Sequence, residues 1–70
     1  MTADEFRDAL DDLDMTQNLA AEVIGVDLRV LRRWAAGERD VPGSVETMLR
    51  VMIIWEIAPQ EILDMRKDAF

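Results

Sequence analysis

The 70 residues carry fifteen acids against eight bases, a net charge of −7, and neither histidine nor cysteine. Such a length supports one small domain. The missing cysteine excludes disulfides and thiolate metal sites, and the missing histidine removes the commonest general base and nitrogen ligand. Half of the residues are hydrophobic, enough for a helical core, but the longest apolar run, 51–55, is far too short to span a bilayer. The N-terminus is acidic and has no apolar run, so no secretory signal is read, and a soluble cytoplasmic protein is the expectation.

Thr2-Ala3-Asp4-Glu5 has the form of a capping box. Phe6, Ala9, Leu10 and Leu13 follow at i, i+3, i+4 and i+7, which predicts a first helix over 3–13. Asp4, Asp8, Asp11 and Asp12 form its outer face and read as solvated. Residues 12–16 lack the glycine and the later glutamate of a calcium loop, so no metal site is expected there.

Thr16 is an N-cap type residue, and Leu19, Ala20, Val23 and Ile24 then recur at helical spacing over 17–24. Gly25 ends that helix, where a left-handed backbone costs glycine little. Val26 plugs the corner, and Asp27 caps a third helix over 28–36. The small Ala20 and Ala21 let the two helices cross closely. Leu31 and Trp34 face the core by spacing, and Val30 is ambiguous. Leu28, Arg29, Arg32, Arg33 and Ala36 form the exposed set. A compact cationic helix face fits the DNA major groove.

Gly37 caps the third helix and opens the one long loop, 37–43. That loop has neither the lysine nor the spacing of a phosphate-binding loop. Pro42 favours the start of a fourth helix, from Gly43 or Ser44 to Glu56. Val45, Met48, Leu49 and Met52 make its core stripe. Val51, Ile54, Trp55 and Ile57 do not all fit on that stripe, and a domain this small cannot bury both sides of a terminal helix. A partner is therefore expected on that second face, and a two-fold dimer is the simplest. The competing expectation is a fifth helix that folds back over it. Pro59 opens such a helix, running to about Arg66, with Ile62, Leu63 and Met65 turned inward. Residues 67–70 are expected to fray.

Charge is placed unevenly. Residues 1–15 sum to −5, 16–27 to −2, 28–39 to +3 and 40–70 to −3. The only basic segment is the third helix with its exit, although nucleic-acid domains are usually basic.

The stretch Thr16 to Ala36 resembles the helix-turn-helix of the lambda-repressor/Cro-like (XRE-type) family. Gln17, Ala21, Gly25 and Val26 carry the likeness, with apolar Ala20, Ile24, Leu31 and Trp34, and residues 34–39 resemble the family's exit from the recognition helix. The likeness covers about 4–52. It implies an all-α bundle of about five short helices in one domain, 1–70, with the helix-turn-helix at 17–36. It also implies that Arg29 and Arg33 face base edges and that Leu28 lies near a thymine methyl. Arg32 reads a base or holds a phosphate. The resemblance also implies that Gln17, Asn18, Ala36 and Arg39 follow the DNA backbone.

Together these readings predict a transcriptional regulator, a repressor in the first instance. It would bind a palindromic operator in double-stranded DNA as a homodimer, with Val51, Ile54 and Trp55 in the dimer contact and helices four and five, 43–66, available for it. No cofactor, small-molecule substrate, membrane partner or catalytic residue is expected, since the lone serine, Ser44, has no base nearby. The competing function is an acidic protein-interaction module on the same fold that does not bind DNA. Net charge and the apolar excess of helices four and five favour it. The gathering of arginines on the third helix opposes it, and opposes equally an acidic mimic of DNA.

Overall fold

Five α-helices make up the computed structural model, which describes residues 1–69 and their side chains through Lys67. They are α1 (Ala3–Asp12), α2 (Gln17–Ile24), α3 (Leu28–Ala36), α4 (Gly43–Ile54) and α5 (Pro59–Ala69). No strand is present among these residues, and no helix is long and apolar enough to cross a membrane. The fold is all-α, as the periodicity predicts.

Local chemistry explains where the helices start. Thr2 Oγ1 accepts from the Glu5 amide at 3.1 Å, and Glu5 Oε1 accepts from the Thr2 amide at 2.8 Å, which completes the capping box of α1. Thr16 Oγ1 accepts from the Leu19 amide at 3.1 Å, and Asp27 Oδ1 from the Arg29 amide at 2.8 Å. Each bond satisfies one of the four amides that a helix start leaves unpaired.

The ends of α1 to α4 share one device. A left-handed residue follows each helix, and the amide beyond it bonds back five residues: Met15 to Leu10 at 2.8 Å, Val26 to Ala21 at 3.0 Å, Glu38 to Arg33 at 2.9 Å and Ile57 to Met52 at 2.8 Å. Gly25 (φ 85°) and Gly37 (φ 78°) fill the left-handed position in two cases. Asp14 (φ 55°) and Glu56 (φ 53°) fill it in the others, and they are the only non-glycine residues with positive φ among those described. This is why α4 stops at Ile54, short of the expected Glu56: the backbone has already turned left-handed there.

The core gathers Phe6, Leu10, Val23, Leu31, Leu49 and Met52 with Trp34 stacked edge-on against Phe6, ring centroids 6.0 Å apart and planes at 87°. Fully burying each such side chain stabilises the fold by about 1.5–3 kcal/mol. The aromatic pair adds about 0.5–1.5 kcal/mol through its geometry. Met15 and Ala35 also lie in the core, beyond those the spacing indicated. No buried polar side chain dilutes it among the described residues.

Helix α1 packs on both α3 and α4, while α2 packs on α3 and α5. Two polar ties support the first arrangement. Arg7, paired with Asp4 on its own helix, donates to the Ala35 carbonyl of α3. The Met1 amine meets Glu46 Oε1 of α4 at 2.6 Å.

Three expectations are corrected. Helix α5 continues to Ala69, past Arg66, and residues 67–69 are helical; Phe70 lies outside the described residues. Met65 is 63% exposed, because helical spacing sets it about 110° from the midpoint of the half-buried Ile62 and Leu63. Finally, α5 does not fold back over the second face of α4. It lies on α2, where the Arg66 guanidinium donates to the carbonyls of Val23 and, at 2.6 Å, Glu22. Those carbonyls belong to the last turn of α2 and have no partner within their own helix.

Candidate nucleic-acid interface

Helix α3 is capped at both ends and held from its inner side. Asp27 fixes its start, Gly37 its end, and Leu31, Trp34 and Ala35 hold its inner side in the core. At 100° per residue, Arg29, Arg32, Arg33 and Ala36 fall within about 100° of arc on the opposite side. All four are exposed.

Leu28 departs from the expected exposed set. It is half-buried against the core. The reason is spacing, since Leu28, Leu31 and Ala35 fall at i, i+3 and i+7, a core stripe. Its flank borders the arginine arc without belonging to it. Val30, left open by the sequence, is likewise half-buried.

The arginines differ in their freedom. Arg29 Nε lies 3.5 Å from Asp27 Oδ1, so the carboxylate that caps α3 also leans on the first arginine. The Asp27 carboxyl is held below its ordinary value, first by the Arg29 backbone amide and then by the Arg29 side chain. Arg32, Arg33 and Arg39 have no carboxylate within 4.0 Å among the described residues. Such exposed pairs as do form are worth little, so a phosphate or base edge competes easily for these groups.

The remaining site residues stand where the sequence set them. Gln17 and Asn18 are exposed in the first turn of α2, and Arg39 is exposed just past the Gly37 cap. Val51 and Ile54 of α4 and its C-cap Trp55 are exposed by 41%, 73% and 73%. They form a face separate from the arginine arc, on a helix whose main packing is against α1.

Of the acids, Asp27 leans on Arg29 at the start of the arginine arc. Asp4, Asp8, Asp11 and Asp12 are exposed on the outer face of α1. The body is 20 Å across in its thinnest direction, against a screening length of about 8 Å at physiological salt. Charge beyond that length weakens the field at α3 only modestly, whereas Asp4 lies close to α3, paired with Arg7, which donates to the Ala35 carbonyl. Among the described residues, no cluster of three or more acids is placed to hold a metal ion.

Sequence reasoning missed two arginines with structural work. Arg7 and Arg66 bind backbone carbonyls 28 and 44 residues away along the chain. No local pattern announces a bond of that span. Comparison of the chain with known protein families, characterised proteins and solved structures gives no match.

Proposed function

We propose that this protein is a sequence-specific DNA-binding transcriptional regulator that places α3 in the major groove. The observation that carries the reading is the arc of three exposed arginines on a helix capped at both ends, within a chain that is otherwise acidic. Arginine pairs bidentately with guanine O6 and N7, and each good pair is worth about 1–3 kcal/mol of discrimination. Arg29 and Arg33 are the base readers, Arg32 reads a base or holds a phosphate, and Leu28 offers an apolar edge to a thymine methyl. Gln17, Asn18, Ala36 and Arg39 follow the backbone. α2 and α3, with the turn at Gly25, then act as a helix-turn-helix.

The regulator acts as a homodimer on a palindromic operator, in the cytoplasm and on the nucleoid, as a repressor. The support for the dimer is the α4 face of Val51, Ile54 and Trp55, which α5 leaves uncovered. Two-fold symmetry would set the half-sites about one helical turn apart. Few cations face the phosphates, so about three or four contacts per protomer would enter the salt slope at about −0.9 each.

Selection of bound sequences from a random duplex library at about 100 mM salt, where phosphate contacts still count, tests the reading. An inverted repeat is expected to be enriched, and to be lost with Arg29→Ala/Arg33→Ala. No enrichment by the folded protein would overturn it in favour of an acidic interaction module. Sedimentation tests the dimer separately, because Ile54→Asp should give monomer.

A further inference from the structure

A groove of about 710 Å³ opens between the end of α1, the first half of α2 and the junction of α4 with α5. Leu13, Leu19, Ile53 and Ile57 supply apolar walls, over the buried Met52. Asp12, Asp14 and Glu56 stand around it, all three exposed, and no basic residue lines it. No residue of α3 lines it.

Asp14 and Glu56 are also the two non-glycine residues held left-handed. Glycine is the residue that such a helix end prefers. At both positions a carboxylate stands instead, and both border the same groove.

We propose that this groove docks a cationic amphipathic helix from a partner protein. Its apolar residues seat between Leu13, Leu19, Ile53 and Ile57, and its lysines or arginines meet Asp12, Asp14 and Glu56. Charge complementarity selects this occupant: three carboxylates, none within 4.0 Å of a cation among the described residues, surround an apolar trough. The trough is open to solvent rather than enclosed, which suits a helix laid into it by its i, i+3, i+4 and i+7 residues. A second copy of this chain is a poorer occupant. Its exposed apolar helix face, on α4, brings Arg50 alone, and Arg50 Nε already lies 3.5 Å from Glu46. The Val51, Ile54 and Trp55 face also points away from the groove, since Met52 and Ile53, which line the groove, lie on the other side of the α4 wheel.

The test uses the full chain and two labelled helical peptides of about 16 residues with the same leucine stripe, long enough to span about four turns. One carries lysine on its polar face and the other glutamate. Fluorescence anisotropy should show saturable binding of the lysine peptide and binding at least about tenfold weaker of the glutamate peptide. Asp14→Gly/Glu56→Gly should weaken the lysine peptide by about fivefold or more, the scale of two exposed ion pairs. Its melting temperature should be unchanged or higher, because glycine relieves both left-handed positions. Glu38→Ala/Asp40→Ala removes the same charge away from the groove and should leave binding within about twofold, since remote exposed charges are screened. Absence of binding would overturn the proposal. Equal losses in both double variants would also overturn it, assigning the affinity to bulk acidity. A changed monomer–dimer equilibrium in Asp14→Gly/Glu56→Gly would overturn it in favour of a second copy.

Discussion

Gly25 joins the two helices on which the proposed DNA contact depends, and its replacement by alanine gives a calculable result. The backbone there has φ 85°. A left-handed conformation costs an L-residue about 1–2 kcal/mol. Alanine also stiffens the unfolded chain relative to glycine, which returns about 0.4–1 kcal/mol. Steric clash adds nothing, because the nearest atom to a Cβ at this position is Arg66 Nη2 at 3.6 Å, an ordinary contact. The net destabilisation is therefore about 1 kcal/mol, or about 4–8 °C in melting temperature for a domain of this size. Gly37→Ala is the internal comparison. Its φ is 78°, and the nearest atom to an added Cβ, Ala3 Cβ, is also at 3.6 Å. The two alanine variants should lose the same stability to within about 0.5 kcal/mol, as independent sites with one mechanism. Gly25→Asn should recover part of the loss, because asparagine tolerates the left-handed region. Urea and thermal melts followed by circular dichroism at 222 nm measure all three. Gly25→Ala as stable as the parent protein would refute the reasoning, and so would alanine and asparagine variants that cannot be told apart.

Three further predictions follow from the packing and the polar ties. Leu49 is fully buried, so Leu49→Ala should cost about 2–5 kcal/mol in a urea melt. Arg66→Ala removes two charge-assisted bonds to the end of α2, worth about 1.5–3 kcal/mol in general, with the lower end expected at this exposed site. Amide exchange should quicken chiefly in α5, and unchanged exchange there would dissolve the proposed tie. The pH dependence of stability should show two limbs. The Glu46 carboxyl lies below its ordinary 4.5 through its hydrogen bond with the Met1 amine, so its contribution is present above 4.5 and fades as pH falls through the lowered value. The amine lies above its ordinary 8.0 through the same bond, so its contribution is present below 8.0 and fades as pH rises through the raised value. Melting temperature should thus be highest between the two. Acetylation of the N-terminus should flatten the alkaline limb, and Glu46→Gln should flatten part of the acid limb.

The sequence by itself determined the helices and most of their starts, because those signals are local. Thr2, Thr16 and Asp27 act on amides two or three residues away, and a 3.6-residue period shows in any short window. It likewise placed Arg29, Arg32 and Arg33 on one exposed arc opposite Leu31 and Trp34, since all five belong to a single helix. Helix ends were legible only where glycine marks them, at Gly25 and Gly37. At Asp14 and Glu56 the same left-handed turn is made by residues that ordinarily avoid it, and composition gives no warning. Tertiary structure alone decided which surfaces stay open. Whether Val51, Ile54 and Trp55 are covered depends on where α5 lies, and Arg66 holds α5 to α2 through carbonyls more than forty residues distant. The acidic groove, too, exists only because the ends of α1 and α4 meet beside Leu19, so that residues far apart in the chain share one surface. Bonds across such distances are selected by packing the whole core at once, which no local pattern encodes.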